Sequence, residues 1–336
     1  MSFTVCADIG SANLRVLLPG SDTRIHESSV TARYKNEARA FGFGDLAYRL
    51  IDRAGENIVT EYPVRGETVI SRTALTDLFA YVLKLSEKER FARRPLLLLS
   101  MNGEYAMKDA AYCAFDAGFD EVTAVPSDAV SALGASFDPT GAKAAFVIDI
   151  GDTHMSAAIY TYGRAVRRMD LPFGLGETDE GIIRKVREVK GCRIGRQTAR
   201  EMKHRFFSAV RMNEVTDTFV GLEIASELPR EFSLESGAIE SAAEPQLRSL
   251  MTMLRQMVTD LPEGICADLM ETGAVLTGGG SRLFGLAGRI GERLGVPCRA
   301  AEDPDVCILN GLEMLNADAE RLSRLTRLNV SREKPQ

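Results

Sequence analysis

The chain has 336 residues, room for two domains that each bury a core, and its 45% hydrophobic and 26% charged content is that of an ordinary globular protein. A net charge of −6 gives no electrostatic reason to expect nucleic acid as a partner. No apolar stretch approaches membrane-spanning length, and the start lacks a basic region followed by an apolar core, so neither a membrane helix nor a signal peptide is expected.

Residues 3–7 read as a buried strand that runs into Asp8-Ile9-Gly10 and continues Ser11-Ala12-Asn13. Leu75, Leu78, Phe79, Val82 and Leu83 fall at helical spacing within 74–85. The continuously apolar 95–99 reads as a buried strand, 104–117 as a helix stopped by Gly118, 121–125 as a strand and 127–135 as a helix. Asp138-Pro139-Thr140-Gly141 is a linker signal. Beyond it, Asp149-Ile150-Gly151 repeats the first motif at the end of another apolar run. A hairpin follows, 155–162 and 164–171 about Gly163, and then helices over 177–189, 198–207 and 243–259. The last buried strand, 273–277, runs into Gly278-Gly279-Gly280 and a helix over 281–294, with a frayed polar tail over 329–336. Alternating strand and helix signals imply an α/β fold.

Two acidic residues leaving buried strands, each followed closely by a glycine, suit loops that hold a metal-bound phosphate; either copy alone is also an ordinary turn. A triple glycine between strand and helix allows a flat ligand such as adenosine to lie on the backbone, or makes a tight turn without one. The six cysteines contain no CxxC pair and the histidines number three, which favours buried thiols in a reducing compartment over disulfides or zinc.

The order DIGSAN (8–13), DIG (149–151), VLTGGGSRLFGL (275–286) resembles the actin and heat-shock-chaperone ATPase superfamily, most closely the MreB-type bacterial actins. FGLGETDEGII (173–183), RIGRQTAREMK (193–203) and AEDPDVC (301–307) are similar to further segments of that family. The resemblance implies an actin-like fold, two similar α/β domains around a nucleotide cleft, each with a smaller subdomain. Domain I is then expected over 1–137, with its smaller part within 30–68 and 312–336 returning to it. Domain II is expected over 138–311, with its smaller part within 177–240. ATP or ADP with magnesium is implied as cofactor. Asp8, Gly10, Ser11, Ala12 and Asn13 match the first phosphate loop, and Asp149 and Gly151 the second. Gly278, Gly279, Gly280 and Ser281 match the adenosine motif, and Lys203 the ribose-side lysine, with Asp8 and Asp149 the magnesium carboxylates acting through water.

The chain departs from that family pattern in three places. Its second loop reads DIGDTHM (149–155) where the family has DIGGGTT, so Asp152 brings a negative charge toward the phosphates. There His154 is either a phosphate donor, a pH-sensitive group or a plain polar residue. Arg200 stands where the family's ribose-side glutamate is expected. Ser127 stands where the family has the glutamate that positions water; Asp128, one position on, is the substitute candidate for catalysis or else, like Ser127, a helix cap. Both catalytic devices look damaged, so efficient hydrolysis is doubtful.

Finally, Phe91 among Arg90, Arg93 and Arg94 makes a loop able to touch an anionic membrane, each arginine contributing about 1 kcal/mol, or else a solvated charged loop. The expected function is a cytoplasmic filament former at the inner face of the membrane, with itself and membrane proteins of cell shape or wall synthesis as partners. The alternatives are a non-hydrolysing actin-fold adaptor and, third, a kinase or chaperone-type ATPase. No peptide-binding domain after the ATPase-like part and no substrate-side base stand out in support of the third.

Overall fold

The computed structural model describes residues 2–18, 23–86, 94–210 and 212–332. The chain divides into two compact units. The first comprises Met1–Val147, Ala158–Arg167 and Ala301–Gln336, and the second Ile148–Ala157 and Arg168–Ala300.

The first unit is built on a six-stranded sheet. Its order is Leu328–Ser331, Glu121–Val125, Arg94–Ser100, Ser2–Ile9, Asn13–Leu17, Arg24–Ser28. The three adjacent strands Glu121–Val125, Arg94–Ser100 and Ser2–Ile9 are parallel; the others add antiparallel. Parallel strands are covered on both faces, which is why 95–99 carries an unbroken apolar run. The helices Arg72–Leu85 and Glu104–Ala117 supply Leu75, Leu78, Phe79, Ala110 and Ala114 to the same core, where Phe79 meets Phe119 edge to face at 6.1 Å. Gly118 ends the second helix in the left-handed region (φ 112°), as its position after the last apolar residue foretells. A smaller sheet of Gly42–Phe43, Thr31–Tyr34 and Ile58–Glu61 closes on Val30, Ala32 and Ala47.

A five-stranded sheet follows the order Arg164–Leu171, Met155–Thr161, Ala145–Ile150, Ala274–Thr277, Cys298–Ala300. Its hairpin turns on Tyr162 (φ 50°) and Gly163 (φ 77°), the two positive dihedrals that a two-residue turn matching strand twist requires. In the second unit the helices Glu177–Lys190, Arg196–Phe206 and Ser236–Val258 pack with a three-stranded sheet of Cys192–Arg193, Thr216–Glu223 and Pro229–Glu235.

Three expectations are corrected. The helix expected over 243–259 begins at Ser236 and carries Pro245 inside it. The helix expected over 281–294 begins only at Leu286; Gly279–Arg282 forms a short 3-10 turn, and Gly285 (φ 76°) separates the two. The tail expected to fray from 329 is instead paired through Ser331 against Glu121–Val125. All six cysteines are free thiols; Cys6, Cys113, Cys192 and Cys307 are buried, Cys298 is half-buried and Cys266 is exposed. Arg90, Phe91 and Arg93 of the membrane-contact expectation lie outside the described residues, whereas Arg94 opens its strand 3.5 Å from Asp120. Among the described residues no helix is long and apolar enough to cross a membrane.

Candidate functional site

In the first unit, Ser2–Ile9 and Asn13–Leu17 form a hairpin whose turn carries the residues expected at the first phosphate loop. The Gly10 amide donates to the Asn13 carbonyl at 2.9 Å, and the Ser29 amide to the Ala12 carbonyl at 2.9 Å, which fixes the loop backbone. Antiparallel register then sets Asp8 directly opposite Arg15. Both residues are buried, at 4% and 7% exposure, and Arg15 Nη1 lies 2.8 Å from Asp8 Oδ2. Arg15 Nη2 also reaches Asp305 at 3.6 Å. Burial pushes the Asp8 carboxyl above its ordinary value, while Arg15 and a hydrogen bond with Ser100 pull it back.

Ser100 ends the adjacent strand, and its hydroxyl lies 3.0 Å from that of Ser127. Thus Ser127, rather than Asp128, stands next to the Asp8 network. Neither residue caps the helix Ser127–Gly134; the Asn102 side-chain oxygen takes the Ser127 amide at 2.9 Å. Asp128 is fully buried, where its Oδ1 accepts from the Tyr160 hydroxyl and from the Ala129 amide, each at 2.7 Å.

The second expected phosphate loop repeats the turn: the Gly151 amide donates to the His154 carbonyl at 2.9 Å. Asp149 Oδ1 accepts from the Thr277 hydroxyl at 2.9 Å. Gly278 follows with φ 74°, where an added Cβ would lie 2.6 Å from the Ile150 oxygen and 2.8 Å from Asp149 Oδ1. Only glycine fits this contact between the triple-glycine turn and the Asp149–Gly151 loop. Gly279, in contrast, would bring its Cβ within 4 Å of nothing, so its backbone faces open space. Ser281 is buried and donates from Oγ to the Gly278 carbonyl at 2.7 Å. Because the helix begins at Leu286, its N-terminus is not adjacent to the three glycines, as the sequence had implied.

The acid that replaces glycine in this loop has a partner. Arg200 Nη2 holds Asp152 Oδ1 at 2.9 Å, and Arg200 Nε lies 3.3 Å from Asp179 Oδ2. Lys203 is buried, with Nζ 2.6 Å from Asp179 Oδ1 and donating to the Leu175 carbonyl at 3.0 Å. Leu175 and Gly176 donate their amides to the Gly151 and Asp152 carbonyls at 3.0 and 2.7 Å. The helix Arg196–Phe206 is therefore stapled to the loop, and Lys203 is committed to that staple. Burial, then Lys203 and Arg200, hold His204 below its ordinary value. His154 Nε2 pairs with Asp170 Oδ1 at 3.0 Å.

A magnesium ion takes carboxylate oxygens as hard ligands. Asp8 does not fit as a direct ligand through Oδ2, which already carries the Arg15 guanidinium in a buried pair. Sequence reasoning missed Arg15, although a turn closing at residues 10–13 places residue 15 opposite residue 8. It met Asp152 and Arg200 as separate departures, 48 positions apart, whereas the fold joins them.

The sequence model of a family described as MreB/Mbl protein matches residues 2–324. The cell shape-determining protein MreB of Escherichia coli K12 is 28% identical over 322 residues, covering 92% of this chain and 93% of its own. Among solved structures, MreB5 of Spiroplasma citri bound to ADP superposes with a TM-score of 0.88 at 20% identity, over 96% of this chain and 98% of its own. A MamK double helical filament gives a TM-score of 0.76 at 17% identity, over 95% and 99%. The actin-type α/β fold expected from the sequence is the fold of this chain.

Proposed function

The chain belongs to the MreB/Mbl protein family, and from that premise we propose that it is a filament-forming bacterial actin that binds nucleotide and organises cell shape or wall synthesis. The observation that carries this is the collinear family match over 2–324 together with the closed glycine turn of the first phosphate loop. Asp8, Gly10, Ser11, Ala12 and Asn13 form the phosphate side of one unit; Asp149, Gly151, Gly278, Gly279, Gly280 and Ser281 form the nucleotide side of the other. The protein then sits in the cytoplasm at the inner face of the membrane, with Phe91, Arg90, Arg93 and Arg94 as the contact. It also keeps smaller subdomains within 30–68 and 177–240, and the return of 312–336 to the first domain.

Hydrolysis is slow or absent in this reading. Ser127 is no base at neutral pH, and Asp128, under the Tyr160 hydroxyl, serves packing rather than water activation. Sedimentation and electron microscopy of the purified chain, with and without ATP, test the proposal. Filaments that shed phosphate slowly are expected; a protein that stays monomeric at every concentration overturns it.

The second reading is a non-hydrolysing adaptor that binds nucleotide weakly. Its support is the Asp152–Arg200 pair, which puts an acid in a phosphate loop and spends a cation on it. Calorimetric titration with ATP separates the two, undetectable binding favouring the adaptor.

A further inference from the structure

Each phosphate loop brings its own guanidinium. In the second the pair is partly exposed, at 28% and 24% of side-chain area, and Arg200 comes from a helix. In the first it is buried, and Arg15 comes from the facing strand of the same hairpin. Residues directly opposite on antiparallel strands stand close enough to pair without bending either side chain away. Arg15 is further held by Asp305. Its Nε is buried and has no hydrogen-bond partner among the described residues. A buried donor left in this state calls for an acceptor, and a phosphate oxygen is the acceptor that guanidinium geometry matches best.

We propose that Arg15 is the resident cation of the first phosphate loop, so that this chain holds a nucleoside di- or triphosphate without a magnesium ion at Asp8. One guanidinium nitrogen neutralises Asp8, and the remaining Nε–H is the donor for the phosphate. A divalent ion takes Asp8 Oδ2 as a direct ligand only by expelling this buried guanidinium and stripping part of its own hydration, both unfavourable. In the second loop Arg200 answers Asp152 in the same way, so the acid introduced there needs no outside cation either.

This inference rests on the nucleotide-binding reading above. The test is calorimetric titration of the full chain with ADP and with ATP, in magnesium chloride and in EDTA. The wild type is expected to bind with affinities within about threefold in the two buffers, and the Arg15→Lys variant, which keeps a cation, to follow it. Arg15→Leu is expected to weaken by about tenfold or more in EDTA and to recover with magnesium. A wild type that loses about tenfold or more in EDTA overturns the inference and leaves nucleotide binding standing. No binding in any buffer overturns both. The wild-type ratio decides without the leucine variant, should that variant fail to fold.

Discussion

The two Asp-Ile-Gly loops close the same turn, glycine amide to the carbonyl three residues on, at 2.9 Å in both. They differ in how the neighbouring acid is balanced. Asp8 is matched across a hairpin by a residue seven positions away, deep in the sheet, whereas Asp152 is matched across 48 positions by a residue of the helix Arg196–Phe206. A buried pair of this kind makes the first loop part of the core; the partly exposed pair makes the second a fastening between loop and helix. The same closing hydrogen bond thus supports two different mechanical roles, set by the origin of the arginine.

The largest way to break the comparison is Arg15→Leu. It leaves Asp8 buried without its cation and is expected to cost about 3–5 kcal/mol in chemical denaturation. Asp8 already lies above its ordinary carboxylate value through burial. A raised carboxylate favours the fold at low pH, and that stability is lost as pH rises through the folded value. The Arg15→Leu deficit is therefore smallest at about pH 4 and grows toward neutrality, which denaturation at several pH values measures. A deficit independent of pH counts against Asp8 as its source.

Gly278→Ala comes next. The left-handed φ and the contact with the Ile150 oxygen predict a loss of about 2 kcal/mol, with disturbance of the second loop seen in amide exchange around Asp149. Smaller again is the second loop's own pair. A double-mutant cycle of Asp152→Ala and Arg200→Ala is expected to give a coupling of about 1 kcal/mol, well below that of the first pair. An equal or larger coupling removes the distinction drawn between the loops. Smallest in stability is Gly279→Ala, within about 0.5 kcal/mol because its Cβ meets nothing. That variant weakens ADP in calorimetry if the open backbone is where the nucleoside lies.

The elements that local pattern dictates were legible before any coordinates. The helix Glu104–Ala117 ends at Gly118 because only glycine sits easily at φ 112°. The strand Arg94–Ser100 shows its double-sided burial in an apolar run. The helix Ser236–Val258 was read seven residues short, since Pro245 and the polar residues before it hide a start that packing stabilises. The pairing of Leu328–Ser331 rests on a strand some two hundred positions earlier, which no local signal conveys. At the site, glycine and aspartate motifs identified the loops. The arginines that balance the acids come from register in one case and tertiary packing in the other.

That last strand carries a consequence for how the chain is made. The first unit's sheet is completed by Leu328–Ser331, and the helix Cys307–Ala317 packs on Ser127–Gly134 in the same unit. During synthesis, residues 1–147 leave the ribosome with one sheet edge uncovered and wait for the entire second unit to be translated. The unit encoded in the middle of the chain is complete first. A nascent chain arrested before residue 301 is thus an exposed strand template, the state in which edge pairing with another chain competes with folding.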